Sequence, residues 1–266
     1  MTDAIGLPTQ PPIKRKYTKR VKLHIIQPPQ SIAEELPPAP PICQLKKYRF
    51  DDDDSVIEIG VDEAGRGPLF GRVYCGAVVL PRGDHFHHYL MKDSKKFHSK
   101  KKIEEVAEYI KMNALAWSVE YEDEQKIDEI NILQSTQLAM HNAIKNVIKQ
   151  LKDKNINVDD ILLLVDGNYF NPIISINSTK TKMNYMKHVT IEGGDNKYTS
   201  IAAASILAKV ARDKYIDDLC SENPELIERY GIDTNKGYGT KKHMDGIKQY
   251  GITKWHRKSF KPCSNI

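Results

Sequence analysis

The chain has 266 residues, a formal net charge of +5 and four cysteines, Cys43, Cys75, Cys220 and Cys263. Its length allows one large domain or two small ones, with a substantial core. It shows no apolar run near the length of a membrane span, no signal-peptide core and no CxxC pair, which argues against a membrane or secreted protein and against a zinc or dithiol site, and favours an intracellular protein of cytoplasm or nucleus.

Residues 1–54 differ from the rest. They carry nine of the fourteen prolines, a basic run at Lys14–Arg20 and the consecutive acids Asp51–Asp54. Such a segment cannot bury enough apolar surface to offset the entropy of ordering, so a disordered, proline-rich basic arm is expected. Its basic run suits loose contact with nucleic acid or a nuclear address, and equally a solubilising tail. Patterning becomes globular after Asp54, and residues 55–266 are expected to fold.

Val56–Val61 reads as a short apolar strand that stops on the adjacent acids Asp62 and Glu63. Ala64, Gly65, Arg66, Gly67 and Pro68 follow, then a second strand, Val73–Leu80. Ser99–Lys111 has helical spacing, with Ile103, Val106, Ala107 and Ile110 on one face and Ser99 at the N-cap position. Ala114–Tyr121 alternates as a strand. Ile132–Leu151 is helical, with Leu133, Thr136, Met140, Ile144, Val147 and Ile148 turned inward. Ile161–Val165 is a continuous apolar run, as in a buried central strand, and ends on Asp166. Residues 171–187 read as a polar loop with Lys180, Lys182 and Lys187. His188–Ile191 is a short strand, Thr199–Leu219 a helix and Lys241–Tyr250 another. Strands first, then alternating helices and strands, imply an α/β fold: a mixed sheet with helices on its faces.

Charge is unevenly placed. Residues 92–102 hold Lys92, Lys95, Lys96, Lys100, Lys101 and Lys102 against Asp93 alone. Residues 236–261 are also basic, opposed only by Asp245, whereas 120–129 is acidic. Polyanion binding needs such local positive potential more than a high total. Each cluster taken alone is equally a solvated face.

Asp62 and Asp166 end predicted strands, and Asp195 follows the pair Gly193-Gly194 after a third. Central strands bring distant residues together at one end of a sheet, where open α/β sheets place their ligands. Gathered carboxylates repel unless cations sit among them, and hard oxygens select magnesium or manganese. Taken singly, Asp166 also suits a tight turn and Asp195 a helix cap. Asp93 and Asp213 are competing acids; Asp93 suits a turn cap or a partner for Lys95, and Asp213 a pair with Lys209 or Arg212.

The run DEAGRGPLFG from Asp62 to Gly71 resembles the signature of type 2 ribonuclease H, the ribonuclease HII family. The resemblance continues in order through DSKK (Asp93–Lys96), LVDGN (Leu164–Asn168), GGDNKYTSIAAASILAKVARD (Gly193–Asp213), KGYGTKKH (Lys236–His243) and WHRKSF (Trp255–Phe260). It covers roughly Val56–Lys261, and motifs that keep both order and context are specific.

The resemblance implies a ribonuclease H-like fold with a helical C-terminal region, residues 55–266 forming the catalytic domain. It implies an endoribonuclease that cuts RNA paired with DNA and nicks duplex DNA on the 5′ side of a single ribonucleotide, leaving a 3′-hydroxyl. Asp62, Glu63, Asp166 and Asp195 are the implied catalytic residues and ligands of two Mg2+ or Mn2+ ions. Glu63 needs the chain to leave the strand there, since neighbouring strand residues point to opposite faces. Gly65, Arg66 and Gly67 resemble the family's element that contacts the ribose 2′-hydroxyl and a phosphate. Tyr238 matches the tyrosine that stacks under the sugar beside the ribonucleotide. Lys95, Lys96 and Lys209 are candidates for phosphate contacts.

RNA/DNA hybrid and ribonucleotide-containing DNA are thus the expected partners, with no membrane and a monomeric chain. Phe70, Gly71 and Arg72 stand where the family commonly has Ala-Gly-Pro, which leaves Arg72 as a further phosphate contact or a surface residue. The 171–187 stretch is long against compact relatives and bears on substrate access. Type 3 ribonuclease H usually carries lysine between the glycines and has a folded N-terminal platform, so Arg66 and the proline-rich arm oppose it. A binding module without catalysis is opposed by the four acids. A catalytic subunit working with partner chains is a further alternative.

Overall fold

A computed structural model describes residues 44–50, 55–83, 85–176 and 183–266. The strands in chain order are β1 (Ile57–Ala64), β2 (Val73–Val79), β3 (Ala116–Glu122), β4 (Ile161–Asp166), β5 (Ile174–Ile176), β6 (Met183–Tyr185) and β7 (Lys187–Ile191). Five of them form a central sheet in the order β3-β2-β1-β4-β7. β1, β2 and β3 pair antiparallel, whereas β1–β4 and β4–β7 are parallel. Parallel pairing requires a crossover, which explains why helical segments lie between β1 and β4 in sequence.

The two faces of the sheet are covered by different helices. α1 (Lys100–Asn113) and α3 (Thr199–Glu222) cover one face through Ile103, Ala107, Ile110, Ala202, Ala203, Ile206 and Leu207. α2 (Glu124–Asp153) covers the other, packing Ala139, Met140, Ala143, Ile144, Val147 and Leu151 on Ile59, Val61, Ala77, Leu163 and Val165. Ser99 caps α1 through its hydroxyl. α3 is buried all round over its first turns, polar Thr199, Ser200 and Ser205 included, as expected of a helix in the interior. It approaches the sheet so closely that a Cβ on Gly60 would lie 2.2 Å from the Ser200 carbonyl carbon, and one on Gly76 2.4 Å from the Ala204 oxygen.

A further apolar cluster lies beyond the sheet. α4 (Glu225–Tyr230), α5 (Ile232–Asn235) and α6 (Lys241–Tyr250) gather Leu226, Tyr230, Ile232 and Ile247 around Leu69, Phe70, Ile216 and Leu219. This cluster ties the C-terminal helices to the glycine-rich turn after β1.

Several sequence expectations are corrected. The polar loop at 171–187 contains a small antiparallel ribbon of β5 with β6, and Lys187 opens β7; Lys180 and Lys182 lie outside the described residues. The helix expected from Ile132 is preceded by helical turns from Glu124. Between them Asn131 adopts φ 67°, and its side-chain oxygen accepts from the Gln134 amide at 3.1 Å, capping the second segment.

The arm expected at 1–54, including Lys14–Arg20 and Asp51–Asp54, lies outside the described residues except for 44–50. That piece is not loose. The Lys46 amide donates to Lys197 O at 2.9 Å and the Thr199 amide to Lys46 O at 3.0 Å. The amides of Arg49 and Phe50 donate to the buried Glu58 carboxylate at 2.8–2.9 Å. The folded unit therefore begins by Gln44: a buried acid needs donors, and this segment supplies them. Among the described residues, no helix is long and apolar enough to cross a membrane. Cys75, Cys220 and Cys263 are buried free thiols.

Candidate active site at the carboxylate end of the sheet

Register brings the acids together. Val61 pairs with Val165 in the parallel β1–β4 ladder, so Asp62 and Asp166 end neighbouring strands on the same face. That face is the one α3 covers. Asp62 is buried and accepts from the Glu63 amide at 2.7 Å, and the nearby Ser205 hydroxyl favours its charged form. Ser205 Oγ lies 3.0 Å from Ser94 Oγ, which links α3, Asp62 and the 3-10 turn Ser94–Lys96. Asp166 Oδ1 accepts from the Gly194 amide at 2.6 Å, fixing the turn that carries Asp195. Asp195 is buried in the 3-10 turn Gly194–Asn196 and accepts from Asn196 Nδ2 at 3.1 Å. The helix that follows has Tyr198, not Asp195, at its N-cap.

Glu63 is reached differently from the expectation. β1 continues through Ala64 and Glu63 pairs with Cys75, so the chain has not left the strand at this point. Alternation puts its side chain on the opposite side from Asp62. It nevertheless feels Asp166 and Lys95 across the strand end, and Arg66 Nη1 donates to it at 3.3 Å.

The electrostatics are those of an under-compensated acid cluster. Burial, then Glu63, then Asp166 raise Asp62 well above the ordinary aspartate value. Burial raises Glu63 and Asp195 as well; Arg66 offsets part of it for the first, while Asp93 and Asp166 add to it for the second. Asp93 behaves oppositely. Burial raises it, but the Lys95 amide at 2.8 Å and Asn196 Nδ2 at 3.2 Å hold it below the usual aspartate range. It caps its own turn and orients Lys95 and Asn196.

The donor set fits divalent cations of the hard class. Asp62, Glu63, Asp166 and Asp195 lie near one end of the sheet, and burial first, with neighbouring carboxylates adding to it, raises Asp62, Glu63 and Asp195. Among the described residues no group of three or more His, Cys, Asp or Glu side chains is placed to hold a metal ion by itself, so substrate oxygens or waters would complete any coordination shell. An open acid set suits magnesium or manganese, which keep waters or substrate oxygens in their shell.

The remaining candidates divide. Tyr238 is 51% exposed, and a Cβ on Gly67 would lie 3.5 Å from its ring, so the Gly65–Gly67 turn and Tyr238 form one surface. Gly65 has φ 93°, and a Cβ there would fall 2.2 Å from Arg212 Nε, so only glycine fits. Arg66, Lys95 and Lys96 are exposed beside the acids, and Lys96 Nζ donates to Asn196. Lys209 is engaged elsewhere, 2.6 Å from Asp213. Arg72 is no phosphate arm: its guanidinium is sandwiched 4.1 Å from the Tyr121 ring and 4.4 Å from Tyr215.

Residues without a role in the sequence reading complete the site. Buried Arg257 donates to the carbonyls of Gly65 (2.6 Å), Arg66 (2.9 Å), Pro68 (2.8 Å) and Gly71 (2.8 Å). Arg212 donates to Lys236 O at 2.8 Å. Both lie inside motifs, but a motif position does not tell a buried arginine from a surface one. Ser94, Ser205 and Asn196 carry no signal at all beyond their motif.

Comparison with known proteins follows this geometry. The chain is similar to a ribonuclease HII of Pelagibacter ubique, 44% identical over 79% of this chain and 98% of that protein. A ribonuclease HII of Bacteroides thetaiotaomicron is 43% identical over 77% and 90% of the two chains. The fold is similar to the crystal structure of ribonuclease H2 from Pyrococcus horikoshii, with a TM-score of 0.55 at 23% identity over 78% of this chain and 95% of that one. The family model described as ribonuclease HII matches residues 59–263, nearly the whole of the sheet, its helices and the C-terminal cluster. The chain therefore belongs to the ribonuclease HII family, metal-dependent hydrolases that cut RNA paired with DNA.

Proposed function

We propose that this chain is an endoribonuclease that both cuts within RNA/DNA hybrids and nicks duplex DNA on the 5′ side of an isolated ribonucleotide, leaving a 3′-hydroxyl. The observation that carries the reading is the contact between the Gly65–Gly67 turn and the exposed Tyr238 ring, next to the carboxylate end of the sheet. Asp62, Glu63, Asp166 and Asp195 would hold two Mg2+ or Mn2+ ions. When bound, such ions supply Lewis acidity toward water and the leaving oxygen of the phosphodiester.

The protein's own groups do the selecting. Arg257 holds the carbonyls of Gly65 and Arg66, and in a trans peptide the following amide points the other way. The amides of Arg66 and Gly67 therefore point away from Arg257, which suits a ribose 2′-hydroxyl or a phosphate oxygen. Arg66, Lys95 and Lys96 add positive charge for neighbouring phosphates. Tyr238 offers a ring face to the sugar on the other side of the junction, where a deoxyribose fits better than a ribose.

The test is incubation of the full chain with duplex DNA carrying one ribonucleotide, with and without magnesium, and mapping of the nick. Magnesium-dependent cutting 5′ of the ribonucleotide supports the proposal; cutting only within long hybrids rejects the single-ribonucleotide part. Gel filtration of the active chain tests the expectation that it works as a monomer.

A further inference from the structure

The KGYG turn and the Trp255–Phe260 segment meet over two buried histidines, His243 and His256, which the chemistry above does not use. Both are within 1% of full burial. Their Nε2 atoms lie 3.1 Å apart. His256 Nδ1 is 2.9 Å from the Thr253 amide nitrogen and 2.8 Å from its hydroxyl. His243 Nδ1 is 3.0 Å from the Tyr238 carbonyl oxygen.

The ends of this chain of bonds are chemically fixed. A backbone amide can only donate, so His256 Nδ1 carries a lone pair and its proton sits on Nε2. That proton points at His243 Nε2, which must then accept. The proton of His243 is left on Nδ1, facing a carbonyl that can only accept. One donor at one end and one acceptor at the other thus determine both tautomers. A second proton on either ring would oppose an existing donor. Burial acts in the same direction, lowering both rings and pushing His256 down to about 3.

We infer that His243 and His256 form a proton-ordered, uncharged relay that runs from the Thr253 amide to the Tyr238 carbonyl and sets the position of the Tyr238 ring against the Gly65–Gly67 turn. The pair also braces the turn itself. Phe70 packs edge-on against His256 at 5.1 Å between ring centres, and the Leu69 amide donates to Gly237 O at 2.9 Å. The histidines are positioning residues, acting through Tyr238. The inference rests on the proposed reading of Tyr238 as the junction-recognising residue, and its tautomers can be tested apart from that reading.

Two measurements decide it. The first is 15N NMR of histidine side chains in the full-length wild-type protein at neutral pH. The expected spectrum has His243 protonated at Nδ1 only and His256 at Nε2 only; the opposite tautomer on either ring overturns the relay, whatever Tyr238 does. The second compares cleavage of single-ribonucleotide duplex DNA with cleavage of a long RNA/DNA hybrid, both in magnesium. His243→Leu removes the donor to Tyr238 O, and its single-ribonucleotide-to-hybrid ratio is expected to fall about tenfold, within the range that small misplacements cost. His243→Asn keeps a donor near the Nδ1 position and is expected to retain more of that ratio, even where both variants melt earlier. Tyr238→Ala is expected to lower the ratio at least as far as His243→Leu. Equal ratios for the His243→Leu variant and the wild type, beside a selective Tyr238→Ala, overturn the positioning role alone. A Tyr238→Ala variant that loses both activities equally overturns the junction reading, and the positioning role with it, leaving the tautomers to the NMR result.

Discussion

Asp62 and Arg257 are both buried and charged, beside the same turn, yet their surroundings are opposite. Asp62 feels the negative charge of Glu63 and Asp166, with Arg66 and Lys95 as counter-charges acting on Glu63. Arg257 meets four backbone carbonyls at 2.6–2.9 Å and leaves little of its hydrogen-bonding capacity unused. The carboxylate end is electrostatically incomplete and is suited to cations arriving with substrate. The turn layer around Gly65, Phe70 and Tyr238 is satisfied at Arg257, although Arg212 Nε beside Gly65 has no hydrogen-bond partner among the described residues. Under the proposed roles, chemistry and recognition are built separately: one region stores repulsion, and the other is held by Arg257 before substrate arrives.

That contrast can be broken by experiment. The largest effect is expected from Asp62→Asn, which should lower cleavage in magnesium by at least about 10³-fold, the scale of losing a key charge in an active site. Hybrid binding in a gel-shift assay should survive, and the metal-free protein should melt no earlier, because a repelling carboxylate has gone. Binding that collapses together with cleavage would place Asp62 in the recognition layer.

Arg257→Met comes next. It orphans the carbonyls of Gly65, Arg66, Pro68 and Gly71, and urea unfolding should show a loss of about 3 kcal/mol. A loss below about 1 kcal/mol would mean that the turn layer does not depend on this arginine.

The two regions should also answer pH with opposite sign. His256 has a folded-state pKa of about 3, below the ordinary histidine value. The unfolded chain therefore takes up the proton first, and this contribution is full above about pH 6.5 and is lost as pH falls toward the folded value, at up to about 1.4 kcal/mol per pH unit. His256→Gln should flatten that acid limb. Asp62, Glu63 and Asp195 are raised, so in the absence of metal their contribution is present below the unfolded carboxylate pKa and is lost as pH rises through the folded values. Asp62→Asn should flatten that loss instead. Unfolding curves taken across about pH 4–8 for both variants separate the regions, and matching pH profiles would erase the distinction.

The smallest effect is expected from Lys209→Ala. Asp213 holds that ammonium at 2.6 Å, so hybrid affinity should change less than about threefold and the salt dependence by less than one phosphate contact. A larger loss would add α3 to the recognition surface.

The parts of this picture legible in the sequence share a physical cause. Local residue pattern places β1, β2, β4, α1, α3 and α6 to within a few residues: one-faced spacing marks α1, and a continuous apolar run marks a strand buried on both faces such as β4. Asp62 and Asp166 could be seen to end strands. Glu63 was harder: β1 runs on past it, and only the register with Cys75 reveals where its side chain starts. The ribbon at Ile174–Ile176 and Met183–Tyr185 reads as loop in the sequence because three-residue strands carry too little alternation to stand out. Composition assigns residues 44–50 to the arm because it is blind to a single buried carboxylate, Glu58, that needs their amides.

By itself, the sequence determined the α/β alternation, the order of the motifs and the acidic chemistry of the strand ends, since these follow from local spacing and residue type. Only the tertiary structure decided that Arg257 grips the Gly65–Gly67 turn, that Ser205 reaches Asp62 from α3, and that Lys209 is taken by Asp213. It also decided that His243 and His256 join the Tyr238 carbonyl to the segment around Thr253. Such partners lie up to 192 residues apart along the chain. No local pattern encodes which buried donor meets which acceptor; packing settles it, because an unpaired polar group in the interior costs more than almost any rearrangement that satisfies it.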